Sequence, residues 1–152
     1  MEIRSYRDSD LDAVARLWLE SWISTGVALE RPVTVAELRE RFPEEIAAGW
    51  TVFVATIDGE IAGFLSLSRS TLEQLFIAPD YQNRGIGKTL LDFVKARVPD
   101  GFDLITAVES RAPQFYEREG LVRCEESRHP VHGHRIVRYE WAPRCQRESP
   151  PL

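Results

Sequence analysis

Hydrophobic residues along this 152-residue chain recur at two spacings, and each change of spacing marks an element. From Met1 to Tyr6, Ile3 and Ser5 alternate with Arg4 and Tyr6, the period of a strand. The period then lengthens, so that Leu11, Val14, Ala15, Trp18 and Trp22 share one face of a helix. Ser9 with Asp12 three positions later forms a capping box for its start, and Gly26 ends it. That face is read as core, which assigns Trp22 to packing rather than to an acceptor pocket. Thr34 with Glu37 makes a second capping box before Val35, Leu38 and Phe42, and Pro43 is expected to kink or restart this helix before Gly49. From Trp50 onward the pattern is that of a sheet. Thr51 to Ile57 is rich in β-branched residues, Asp58-Gly59 is a two-residue turn signal and Ile61 to Leu67 continues apolar, which together predict a hairpin. Leu72 to Ile77 is a further strand, stopped by Pro79.

Beyond it, Leu90, Leu91, Val94 and Val98 return to helical spacing. Pro99-Asp100-Gly101 is a turn, Phe102 to Val108 a strand, and Ala112 to Gly120 a short helix closed by its glycine. Leu121 to Glu125 and Arg135 to Trp141 are the last two strands, joined by a loop that holds His129, His132 and His134. The proline-rich polar tail, residues 143–152, is expected to be disordered, leaving one domain over residues 1–142. A hydrophobic content of 43% in this length is enough for one real core and too little chain for two domains of ordinary size.

Charge narrows the function. A net charge of −5 gives no general affinity for nucleic acid or for an anionic membrane surface, so no nucleic-acid or membrane partner is expected. Cys124 and Cys145 lack C-x-x-C spacing, no apolar run reaches membrane length, and the charged Met1-Glu2-Ile3-Arg4 is unlike a signal peptide. A soluble cytoplasmic protein is expected; a homodimer is left open.

The candidate chemistry lies where the core strand meets the next helix, in Leu75-Phe76-Ile77 followed by Gln82-Asn83-Arg84-Gly85-Ile86-Gly87-Lys88. Backbone N–H groups at a helix start have no intrahelical acceptor and sit at the positive end of the helix dipole, so this junction suits a phosphate or pyrophosphate. The glycines allow close approach, and Arg84 and Lys88 add cationic side chains. A nucleotide-triphosphate loop would need glycine where Gln82 stands, and the dinucleotide fingerprint meets Leu90 instead of its third glycine.

The pattern Q/R-x-x-G-x-G/A, carried by Gln82, Arg84, Gly85 and Gly87 after a strand and Pro79, resembles the coenzyme-A-binding segment of the GNAT family, the GCN5-related N-acetyltransferases. Ala112-x-x-Phe115-Tyr116-x-x-x-Gly120-Leu121 is similar to that family's second motif, A-x-x-F-Y-x-x-x-G-F. The resemblance spans roughly Ile3 to Trp141. It implies a single α/β (α+β) domain with a mixed central sheet of about seven strands and helices on both faces. It also implies acetyl-CoA as co-substrate, held by the backbone of Gln82 to Lys88 and by a strand pairing of its pantetheine arm with Leu75 and Ile77. The implied activity is acetyl transfer to a primary amine of a small molecule or peptide, with Tyr116 at the departing thiolate. The alternative is a non-catalytic acyl-CoA-binding module.

Two positions depart from the family pattern. Glu109 stands where many members have asparagine, and Thr71 where many place a glutamate base; the nearest carboxylate is Glu73, on the same strand face by period two. Glu73 is therefore the candidate base, acting directly or through water, with a loop histidine or a water chain as the competing assignments. No metal is expected, because no carboxylate or cysteine lies at ligand spacing beside the histidines. Neither cysteine falls in a motif, so transfer is expected to be direct, without an acyl-enzyme.

Overall fold

The computed structural model describes residues 1–26 and 33–142; the tail expected to be disordered lies outside the described residues. In chain order the elements are β1 (Glu2–Ser5), α1 (Leu11–Ser24), α2 (Val35–Ala47), β2 (Thr51–Ile57), β3 (Glu60–Ser68), β4 (Thr71–Ile77), α3 (Ile86–Arg97), β5 (Phe102–Ala107), α4 (Ala112–Arg118), β6 (Val122–Arg128) and β7 (Arg135–Trp141). Among the described residues no helix is long and apolar enough to cross a membrane.

Strand alternation divides the core into two layers. Val52 and Val54 of β2 pack on Val14, Trp18, Leu38 and Phe42, whereas Phe53 and Ala55 pack with Leu90, Leu91 and Val94 of α3. Helices α1 and α2 thus cover one face and α3 and α4 the other, as the helical periodicities require of a sheet apolar on both sides. On the first face the Trp18 ring lies 6.0 to 6.3 Å from the rings of Phe42, Trp50, Phe64 and Phe76. Rings at these distances add edge and tilted contacts to their area burial.

Two local expectations are corrected. Ser9 does not cap α1; a short 3-10 turn, Asp8–Asp10, precedes it. The Asp10 carboxylate accepts the Arg7 N–H at 2.8 Å and takes two hydrogen bonds from the Arg4 guanidinium at 2.8 and 3.0 Å. A charge-assisted pair is stronger than a hydroxyl cap, and Arg4 holds the Asp10 carboxyl below the usual carboxylate range. Nor does Pro43 restart the second helix, which runs unbroken from Val35 to Ala47. Leu38 and Phe42 before the proline and Ile46 after it pack in one apolar layer, which holds both halves across the missing N–H. The Thr34 cap is as expected, its Oγ1 accepting the Glu37 N–H at 3.2 Å.

The strand order is β1-β2-β3-β4-β5-β7-β6 in one seven-stranded sheet. Neighbours are antiparallel except β4 and β5, which run parallel and share two register pairs, Thr71 with Asp103 and Leu72 with Leu104. The Thr71 hydroxyl donates to Asp103 Oδ1 at 2.7 Å at this junction. Above it the strands part. The sheet is therefore two arms, β1 to β4 and β5-β7-β6, joined at one end.

Gly63 shows how tightly the first arm is packed. A Cβ placed there would come within 2.8 Å of both the Phe76 carbonyl oxygen and Ile77 Cδ1. Gly63→Ala is expected to destabilise the protein by about 1–3 kcal/mol through overpacking against backbone that cannot move aside. Thermal or denaturant unfolding checks this; a variant as stable as the parent contradicts it.

Candidate active site

A cleft of about 870 Å³ occupies the parting of β4 and β5 and continues to the N-terminus of α3 and to the β6–β7 turn. Its β4 wall is set by a bulge. Ser66 pairs with Gln74 and Leu67 with Leu72, so Glu73 is an extra residue on β4. The consequence shows in the packing: Leu72 and Leu75, three apart, both face the α3 layer.

Above the bulge the register fixes where the backbone points. The Ala78 N–H donates to the Ala62 carbonyl on β3 at 2.8 Å, so by alternation Phe76 and Gln74 also bond toward β3. Leu75 and Ile77 turn their amides and carbonyls the other way, into the cleft. Leu75 and Ile77 thus present an open sheet edge, whereas Phe76 contributes its ring to the Trp18 cluster. The Ile77 carbonyl is already engaged, accepting from Ser21 Oγ at 2.7 Å and from Gln82 Nε2 at 3.1 Å.

At the loop, Asn83 and Gly85 both have positive φ, 63° and 81°. Gly85 is the N-cap of α3 in the left-handed region, without side-chain capping and without an acidic residue in the first turn. The first helical bond runs from the Thr89 N–H to the Gly85 carbonyl at 3.1 Å, which leaves the N–H groups of Ile86, Gly87 and Lys88 without an intrahelical acceptor. Alternating backbone hand plus an uncapped helix start is an anion-binding concavity, and it suits a pyrophosphate. The side chains contribute less than their charge suggests. Lys88 Nζ pairs with Glu119 at 3.1 Å and Asp92 at 3.4 Å, and the Arg84 guanidinium lies over the Tyr81 ring at 5.4 Å. The Ile86 side chain is buried in the core, and the Gln82 amide turns back to β4, so these two act through backbone and positioning.

Tyr116 and Glu73 both line the cleft. The Tyr116 ring belongs to the α3–α4 layer, and burial pushes its phenol well above the ordinary tyrosine range, so it stays protonated. Glu73 is half-buried, and its carboxyl is raised by burial first and then by the charges of Glu45 and Asp103, with Arg41 acting against them. Thr71, where the family pattern places a base, is instead spent on Asp103.

The three histidines come together on the cleft wall, with ring centroids 4.7 to 6.3 Å apart. His129 Nδ1 accepts the N–H groups of Val131 and His132 at 3.1 and 3.0 Å, which places its proton on Nε2. With that lone pair occupied, His129 is a turn-forming residue and no base. His134 packs its ring against Trp22 at 5.2 Å. Trp22 therefore lines the cleft, which corrects its assignment to the core: it sits on the last turn of α1, half-buried beside the histidine turn. Glu109 is exposed, and its charge only partly offsets the lowering of the His134 imidazole by burial and by His132. Among the described residues no group of three or more histidine, cysteine, aspartate or glutamate side chains is placed to hold a metal ion.

Sequence reasoning missed Ser21 and Arg41. The signal for Ser21 was present: a polar residue three positions after Trp18 on an apolar helix face. Arg41 carried none, being one of several charges on an amphipathic helix.

The chain belongs to the GNAT family: the model of the acetyltransferase (GNAT) domain matches residues 24–143. It is thus an N-acetyltransferase of the kind that takes acetyl-CoA as co-substrate. It is 31% identical over 129 residues to the peptidyl-lysine N-acetyltransferase YiaC of Escherichia coli, covering 80% of this chain and 85% of the relative. It is 34% identical over 110 residues to the phosphinothricin N-acetyltransferase of Alcaligenes faecalis, covering 65% of this chain and 55% of that protein. The fold superposes with a TM-score of 0.72 at 15% identity on yncA of Salmonella typhimurium, solved with its cofactor acetyl-CoA, covering 100% of this chain and 98% of the other.

The histidine turn makes a pH prediction. Burial, followed by the neighbouring imidazoles, lowers the pKa of both His129 and His134 below the ordinary value. For a lowered histidine the folded state binds fewer protons than the unfolded one, so its stabilisation is complete above about pH 6.5 and is lost as pH falls toward the folded value. Imidazole proton shifts followed by NMR should give midpoints below about 6.5 for both. Midpoints at or above that value contradict the packing argument.

Proposed function

We propose that the protein transfers an acetyl group from acetyl-CoA directly to a primary amine of a small molecule or peptide, inside the parting of β4 and β5. The observation that carries this reading is the arrangement of the cleft: an uncapped helix start and an open β4 edge on one side, and a half-buried carboxylate within reach of the same cleft. The loop from Gln82 to Lys88 would hold the pyrophosphate through backbone N–H groups, and the edge at Leu75 the pantetheine arm as an added strand. The co-substrate supplies an activated thioester.

Glu73 is the group suited to take the proton of the acceptor amine. Its raised carboxyl is a better proton acceptor than an exposed glutamate, and the bulge keeps it in the cleft. Tyr116, held protonated, donates a hydrogen bond to the departing sulfur. A thiol pKa near 8.5 lies below that of a buried phenol, so complete proton transfer from Tyr116 is uphill, and it orients and stabilises more than it protonates. Cys124 is on the outer strand β6, away from the cleft, and carries no acyl group in this scheme. The acceptor side is walled by Trp22, Arg41 and the histidine turn.

The test is thiol release from acetyl-CoA against a panel of small amines and lysine-containing peptides. Glu73→Gln should lose activity mainly at low pH and recover as pH approaches the pKa of the amine itself, while Tyr116→Phe should slow turnover by about tenfold to a hundredfold without abolishing it. A Glu73→Gln profile that overlays the parent assigns the base elsewhere.

The coenzyme site has its own test. A Cβ at Gly87 would meet Phe115 at 3.5 Å and Ile77 at 3.9 Å, ordinary contacts, so Gly87→Ala should bind coenzyme A nearly as the parent does. Gly87→Phe should block the backbone approach and weaken binding at least tenfold in calorimetry while remaining folded. Unchanged affinity in a folded Gly87→Phe variant contradicts the placement.

A further inference from the structure

Ser21 is a buried hydroxyl, 3% exposed, on the last turn of α1, far in sequence from either motif. Its Oγ donates to the Ile77 carbonyl at 2.7 Å across 56 residues of sequence. The same carbonyl accepts Gln82 Nε2 at 3.1 Å, and Gln82 Nε2 lies 3.5 Å from Ser24 Oγ, which itself donates to the Ser21 carbonyl at 2.7 Å. Helix α1, the end of β4 and the start of the anion-binding loop therefore meet at one carbonyl oxygen.

This matters because of where that oxygen points. Ile77 is turned toward the cleft, as Leu75 is, so its carbonyl is the acceptor that an incoming strand-like ligand would meet at the end of β4. A carbonyl offers two acceptor positions, and here Ser21 and Gln82 use both. An amide N–H from a ligand finds its acceptor one step along the edge, at Leu75. If Ile77 were open, an extended ligand could pair at either residue, two positions apart, and register on a sheet edge is weakly specified when alternatives are equivalent.

We propose that Ser21 is a positioning residue for the co-substrate: with Gln82 it closes the Ile77 carbonyl and so sets the register of the pantetheine arm on β4. This rests on the coenzyme placement proposed above. Ser21 touches no reacting atom in this scheme. It also fixes the last turn of α1, whose next residue, Trp22, rests against His134 on the acceptor wall. One helical turn thus braces both halves of the cleft.

The experiment is crystal structures of the full-chain parent and Ser21→Ala with coenzyme A bound, alongside calorimetric titration of both with coenzyme A and with adenosine 3′,5′-bisphosphate, which lacks the pantetheine arm. The parent should hold the arm in a single register paired at Leu75, and Ser21→Ala, which frees one acceptor position on Ile77, should show the arm paired at the Ile77 carbonyl, two residues away, in addition or instead. Ser21 makes no bond to the coenzyme, so neither affinity should weaken. Ser21→Thr, which keeps the hydroxyl, should restore the single register. An arm that keeps the parent register in Ser21→Ala would overturn the proposal, as would equal weakening of both probes, which would mean a displaced helix. A Thr variant that unfolds leaves the Ala comparison decisive, since removal of one hydroxyl adds no bulk. Failure of the coenzyme placement reads differently: the parent would not bind coenzyme A, or a folded Gly87→Phe would bind it normally.

Discussion

The structure depends on one short parallel pairing. Strands β4 and β5 hold each other at Thr71–Asp103 and Leu72–Leu104 and then separate, while each remains fully paired on its other side, β4 with β3 and β5 with β7. A parted pair inside a sheet exposes backbone donors and acceptors that a closed sheet would satisfy, and buried unsatisfied groups are costly. The separation is tolerable because the cleft admits water or a ligand with its own amides. The side-chain clasp between Thr71 and Asp103 then has a structural purpose: it ends the closed part of the sheet at a defined residue.

Everything the cleft needs is arranged from that vertex. The bulge at Glu73 follows it directly, turning a carboxylate toward α2, where Arg41 and Glu45 bear on it, and restoring the leucine face by Leu75. Four residues further on, the chain leaves β4 and enters the loop that ends in the Gly85 cap. The missing side chain at Gly63 leaves room for the Ile77 side chain, the Phe76 carbonyl and Leu90 of α3, so β3, the end of β4 and α3 pack together at this point. On the far side, α4 carries Tyr116 into the same layer, where burial keeps it neutral.

The charges follow the same division. The side proposed for the co-substrate presents backbone N–H groups, and its lysine is already paired with Glu119 and Asp92. Affinity for a phosphorylated ligand then needs no excess of positive charge, in keeping with a net charge of −5. The side proposed for the acceptor holds half-buried titratable groups, Glu73, His129 and His134, whose ionisation is shifted by desolvation before anything else.

Much of this was legible from the chain alone. Periodicity identified the seven strands and four helices, because burial of one face or two leaves a regular trace in residue type. The glycine loop was legible because left-handed backbone and an uncapped helix start require particular residues at particular positions, as Gly85 shows. What the chain did not reveal lies between elements distant in sequence. A 3-10 turn tied by Asp10 to Arg4 and the Arg7 N–H stands where a Ser9 cap was expected; Pro43 was absorbed because an apolar layer spanned it; Trp22 lines the cleft because the β6–β7 turn brings His134 against it. The bulge at Glu73 left no mark, since one extra residue in a strand changes pairing and not composition. Ser21 meets Ile77 across 56 residues, and only the tertiary structure brings them together. Local pattern encodes what each segment does with its own backbone and face, while the pairing of polar groups across the fold is decided when the segments pack.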